Sequence, residues 1–194
     1  CSATIANPGE HAEALAGLPF EVVDQDGAPF SGKDFLLWNP PLIDEAKMAR
    51  RSPNTEATLV FSELLKHEVR TITFSRTRKV AELIYMYVRD RLREENAELA
   101  ERVRPYRAGY LSETRREIEQ GLFDGSLLGV SATNALELGI DIGDLGATVL
   151  TGYPGTIASA WQQAGRSGRG NERSLSILIG ADNPLDQYFM RHPD

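Results

Sequence analysis

The sequence predicts an α/β fold, a parallel sheet with helices on both faces, and two observations carry that prediction. From residue 70 onward, short apolar runs alternate with segments of helical periodicity, the pattern of buried strands joined by crossover helices. The helical segments are also punctuated: Ser112 stands at the start of one, and Asp124-Gly125 supplies the residues that end it.

Residues 71–74 read as the first strand of this series. A helix from about residue 77 to 102 follows, and its Val80, Leu83, Ile84, Tyr87 and Leu92 form one apolar stripe. Residues 103–108 make a weaker strand. The helix from 112 to 123 repeats Thr114, Ile118 and Leu122 at four-residue steps, and the next strand starts at 127–130. Two more buried strands, 147–150 and 175–179, flank a helical pattern over 156–165, which brings the count to five. The first fifty residues break the rhythm. A short helix at 11–16 precedes residues 20–24, then comes a Gly- and Pro-rich turn at 27–32 and a strand at 35–38 stopped by Pro40-Pro41. That turn is read as joining two strands in a hairpin. A polar connector over 43–54 leads to a helix at 55–67.

Length and composition bound the function. A chain of 194 residues with 41% hydrophobic content can bury one domain and a fragment of another. No apolar run approaches the roughly 18 residues that cross a bilayer, so no membrane partner is expected. The single cysteine, Cys1, has no partner for a disulfide, and a reduced, cytoplasmic or nucleoid-associated setting is the expectation. No Cys and His cluster has metal-ligand spacing, and His11, His67 and His192 are scattered. The net charge of −7 excludes coating nucleic acid by bulk electrostatics, so any phosphate contact must be local. Basic residues gather in four places: Arg76 to Lys79, Arg102 to Arg107, Arg115-Arg116, and Arg166 to Arg173.

The chemistry concentrates in Gln162-Gln163-Ala164-Gly165-Arg166-Ser167-Gly168-Arg169. Two arginines three residues apart share a face of a helical turn, and Gly165 and Gly168 remove bulk that would hold a ligand away. Guanidinium groups so placed pair in bidentate fashion with phosphate oxygens. One strand upstream, the run from Val130 to Asp141 sets Thr133 just after a buried strand, where a hydroxyl and a backbone N–H can meet a phosphate. Phe74-Ser75-Arg76-Thr77-Arg78 puts two arginines and two hydroxyls beside a helix N-terminus. The segment Gly27 to Asp34 nearly satisfies the phosphate-loop pattern but is rejected, because Asp34 stands where a hydroxyl is needed and a strand, not a helix, follows.

These residues resemble the motifs of superfamily 2 helicases. The arginine segment resembles Q-x-x-G-R-x-G-R, and the run from Ala132 to Asp141 is typical of the YprA-like group of DEAD/DEAH-box DNA helicases. The resemblance implies a RecA-like (P-loop NTPase-type) second motor lobe. By it, Arg166 and Arg169 with Gln162 act on ATP, Gly139 and Asp141 face the nucleotide, and Thr133 and Asn134 hold nucleic acid. Arg76 and Thr77 resemble a further strand contact, as do Gly109 and Arg115 in the element that follows Tyr106. Ser2-Ala3-Thr4 resembles the tripeptide in which Ser2 and Thr4 couple hydrolysis to strand movement. The implied division is a first-lobe tail at 1–26, hairpin and connector at 27–54, and second lobe at 55–194. The implied partners are single-stranded or partly duplex DNA and a first lobe in the same parent chain, with ATP and a magnesium ion held mainly by that first lobe. The chain by itself is then expected to be inactive. A second reading of the same residues is a catalytically inactive lobe that binds nucleic acid or protein.

Overall fold

A computed structural model describes residues 4–25, 27, 31–46, 49–137, 142–168 and 172–192. After helix α1 (Pro8–Ala16), the elements are β1 (Lys33–Trp38), β2 (Leu42–Asp44), β3 (Ala49–Arg50) and α2 (Pro53–Lys66). Then come β4 (Thr71–Ser75), α3 (Arg78–Glu95), α4 (Ala97–Glu101), β5 (Val103–Tyr106), α5 (Ser112–Asp124) and β6 (Gly129–Ala132). A single 3-10 turn (Asn134–Leu136) precedes β7 (Ala147–Thr151), α6 (Ile157–Ala164), β8 (Ser174–Ile179) and α7 (Pro184–Arg191).

Six strands form one sheet in the order β1-β8-β7-β4-β6-β5, and every pairing in it is parallel. Parallel strands need crossovers, and the helices supply them on both faces. On one face Phe61 and Leu65 of α2 and Ile84, Val88 and Leu92 of α3 pack on Val149, Ile177 and Ile179. On the other, Ile118 and Leu122 of α5 cover Ile72, Phe74 and Val130, while Ala160 of α6 and Phe189 of α7 cover Leu150 and Leu178. With both faces covered, the central strands β4, β6, β7 and β8 carry no charge and only small Ser and Thr hydroxyls among their apolar residues, which is why they read as continuous runs.

Four expectations are corrected. The sheet has six strands because β1 joins it as an edge strand, parallel to β8, with Lys33 opposite Ser174 and Trp38 opposite Ile179. Residues 33–38 therefore belong to the main sheet and not to a hairpin ahead of it. Residues 20–24 form no strand, and Val23 is 84% exposed. The helix expected to run to residue 102 breaks at Asn96, which closes α3 and whose side chain caps α4 by accepting the Leu99 N–H. Ser112 is the first residue of α5 and makes no cap, Leu111 holding the cap position. Helix α7, unread in the sequence, starts at the signal Asn183-Pro184, with Asn183 Oδ1 accepting the N–H groups of Leu185 and Asp186.

Candidate functional site

The chain runs β4, β5, β6 toward one edge of the sheet and then crosses back to β7 and β8, so the reversal lies between β4 and β7. In open parallel sheets the loops diverge at such a point and leave a crevice at the carboxyl ends of the strands. Here that crevice has a volume of about 380 Å³. Its walls include Ser75 at the end of β4 and Arg76 just beyond it, Gly152 after β7, Asn134 and Glu137 after β6, and Gln163 from α6. Arg76 is exposed, and its stem lies over Gly152, where a β-carbon would come 3.6 Å from Arg76 Cδ. The other side of Gly152 is fixed by Asp186, buried at 2% exposure, whose carboxylate accepts the N–H of Tyr153 at 3.0 Å and of Ala181 at 2.8 Å.

Arg166 lies behind this crevice. It is 7% exposed, and its Nε and Nη2 donate to the backbone carbonyl of Glu137 at 3.1 and 2.6 Å. The Glu137 carboxylate in turn accepts Ser159 Oγ at 2.6 Å and Gln163 Nε2 at 2.9 Å. The arginine segment is thus knotted to the segment after β6. Its helical start ends at Ala164, and Gly168 has φ 76°, so Arg166 stands in a turn beyond the helix and not on a helical face. The Ala164 carbonyl at that end receives Ser167 Oγ at 3.2 Å, Ser176 Oγ at 3.3 Å and the Lys33 ammonium. A cation at a helix C-terminus is favourable. Lys33, rejected as a phosphate-loop lysine, instead braces the arginine turn from β1.

Among the other expected site residues, Thr133 is half-buried and Asn134 exposed directly beyond β6. Thr77 caps α3, its hydroxyl accepting the Val80 N–H at 3.3 Å. Gly109 is exposed in the turn after β5, where the Arg107 guanidinium lies 4.7 Å from the centroid of the Tyr110 ring. Arg115, in the first turn of α5, reaches Ser112 Oγ at 3.5 Å. Burial pushes the Tyr106 hydroxyl up to about 12, reinforced by its 2.6 Å hydrogen bond to Glu119, with the Arg115 charge opposing. Gln162 is half-buried, and Gln163 is the glutamine that enters the knot. Thr4 lies ahead of α1. Ser2, Gly139, Asp141 and Arg169 lie outside the described residues.

Because β4, β6 and β5 are neighbours, Arg76, Thr133 with Asn134, and Gly109 follow three adjacent strand ends on one edge. At about 4.8 Å per strand they span roughly 10 Å, enough for neighbouring phosphates of one strand. Glu137, Ser159, Gln163 and Asp186 were not singled out from sequence. A signal existed for Glu137, a charge inside the apolar run Ala135 to Ile140, and for Ser159 and Gln163, which share a helix face at a four-residue step.

The helicase conserved C-terminal domain family matches residues 56–171, more than half of the chain. The chain is similar to the uncharacterized ATP-dependent helicase YprA of Bacillus subtilis (strain 168), with 48% identity over 193 residues, 100% of this chain and 26% of that protein. It is also similar to the ATP-dependent helicase HRQ1 of Saccharomyces cerevisiae, 39% identical over 196 residues, 100% of this chain and 18% of that protein. The chain thus spans no more than 26% of the length of these relatives. Among solved structures, the DUF1998 helicase MrfA bound to DNA and AMPPNP matches with a TM-score of 0.90 and 48% identity, over 99% of this chain and 26% of that one. The Mycobacterium smegmatis helicase Lhr bound to ssDNA and AMP-PNP matches with a TM-score of 0.75 and 26% identity, over 100% of this chain and 26% of that one. The sheet, the arginine turn and these matches agree: the chain belongs to the helicase conserved C-terminal domain family, as the second RecA-like lobe of a superfamily 2 helicase.

Proposed function

We propose that this lobe is half of the motor of an ATP-dependent DNA helicase. ATP lies between it and a first RecA-like lobe of the same protein. Gly139 and Asp141 face the nucleotide, and Arg166 and Arg169, with Gln162 beside them, face its terminal phosphoryl group. Guanidinium groups there stabilise charge that grows in the transition state, and opening and closing of the cleft moves the strand. Arg76, Thr77, Gly109, Arg115, Thr133 and Asn134 hold one strand by its backbone, and Ser2 and Thr4 couple the lobes. The magnesium of the ATP complex is held mainly by the first lobe. Alone, the lobe holds half of the composite site. A cytoplasmic or nucleoid-associated setting goes with this reading.

The observation that carries the reading is the line of Arg76, Thr133, Asn134 and Gly109 across three adjacent strand ends, tied to Arg166 through Glu137. DNA is chosen because MrfA and Lhr, two of the similar structures, at 48% and 26% identity, were solved with DNA. One observation favours the rival, a non-catalytic binding lobe: Arg166 is buried against a carbonyl.

Backbone contacts carry no direct sequence information. In the full-length protein, Arg76→Ala should therefore weaken binding to poly-dT and mixed-sequence strands alike. It should also flatten the slope of log affinity against log salt by about 0.7, one lost counterion on a single strand. Thr133→Ala removes no charge and should leave the slope in place. Fluorescence titrations at several salt concentrations read both, and unchanged affinity and slope in Arg76→Ala would remove this edge as the strand track.

A further inference from the structure

Glu137 stands between the two halves of the proposed site, with each of its polar groups committed to one of them. Its N–H donates to the Asn134 carbonyl at 3.0 Å, closing the 3-10 turn that starts beside Thr133. Leu136 within that turn is fully buried and packs with Phe74 and Val130 in one core cluster. Its carboxylate is bound by Ser159 and Gln163 of α6, and its carbonyl receives two nitrogens of Arg166. A block of five residues, 133–137, is therefore closed by a hydrogen bond and plugged into the core. It presents Thr133 and Asn134 at the strand edge and at its other end the atom on which Arg166 rests.

We propose that Glu137 is a positioning residue that transmits strand occupancy of the β4–β7 crevice to Arg166. The inference rests on the functional reading above. A phosphate arriving at Thr133 and Asn134 displaces the turn, and the closed turn moves as one piece. Two guanidinium N–H groups on a single oxygen fix the plane of Arg166, so displacement of that carbonyl re-aims the guanidinium. Ser159 and Gln163 set the resting position, because charge-assisted bonds to a carboxylate hold direction as well as distance. Phosphoryl transfer is sensitive to such a change, since a misplacement of about 1 Å can cost roughly 10² in rate.

The test uses the full-length helicase that carries this lobe, with ATP turnover measured against single-strand concentration. Glu137→Ala should lower kcat at saturating strand about tenfold, the size of an ordinary coupling between sites, while the half-saturating strand concentration stays within about two-fold. The exchange Glu137→Gln with Gln163→Glu restores the pair with donor and acceptor swapped, and should recover most of the lost kcat where either single change does not. An unaltered kcat in Glu137→Ala overturns the proposal. So does a joint fall of kcat, strand affinity and Tm that the exchange does not rescue, because that pattern marks a merely structural residue. Arg166→Ala, measured alongside, separates this inference from the reading beneath it. Hydrolysis lost in Arg166→Ala but intact in Glu137→Ala sinks the relay alone, whereas hydrolysis intact in both sinks the functional reading and the relay with it.

Discussion

Gly168 governs the turn that carries Arg166. Its φ of 76° is left-handed, its N–H donates to the Leu145 carbonyl at 3.1 Å, and a β-carbon there would run into the Ser174 hydroxyl. The sequence motif suggests that glycine clears space for a ligand, but the space at Gly168 is filled by β8. The glycine is needed for a close approach between turn and strand, and the arginine is placed as a result. Gly168→Ala combines a left-handed alanine with an overpacked contact, which together should destabilise the lobe by about 2–4 kcal/mol in urea unfolding. A loss below about 0.5 kcal/mol, the range of ordinary surface substitutions, would contradict this account of the turn.

At the scale of elements, edge strand β1 is held by more than its ladder to β8. Trp38 Nε1 donates to Glu56 Oε2 at 2.9 Å, and Arg51 Nη1 meets Glu56 Oε1 at 2.8 Å, which fastens β1 and the connector to the first turn of α2. Glu56 is 3% exposed. Glu56→Ala would leave the indole N–H without its acceptor, at a cost of about 1–3 kcal/mol. The loss should be local: amide exchange should speed up in β1 while central β4 keeps its protection, and uniform acceleration across the sheet would contradict it. The same element shows where sequence reading stops. Residues 35–38 are legible as a strand from their apolar run, yet their partner lies some 140 residues away in β8, and no local pattern encodes that pairing. Residues 20–24 carry a similar apolar pattern without a sheet to receive it. The central strands were legible because burial on both faces leaves no charged residue in them, and their polar positions are all Ser or Thr, small side chains that do not break an apolar run. The site divides in the same way. The arginines and Thr133 announce themselves by type and spacing, whereas Glu137 matters through hydrogen bonds to α6 that only the fold brings about.

Over the whole molecule, one sheet does two jobs. Its central reversal opens the β4–β7 crevice at the carboxyl edge, and the crossover through α6 returns the chain to the arginine turn braced by Lys33 and Ser176. The segment after β6 joins the two, so under the proposed function a strand held at one place acts on a phosphoryl group at another. The central claim is that the arginine turn serves ATP chemistry and not only the packing of this loop. Single-turnover hydrolysis by the full-length protein, at saturating ATP and DNA, tests it in Arg166→Ala and Arg169→Ala. The account predicts a fall of about 10³-fold or more in the hydrolysis step with a much smaller change in ATP affinity, as expected of groups that act on transition-state charge. Hydrolysis within a few-fold of wild type in both variants would contradict it.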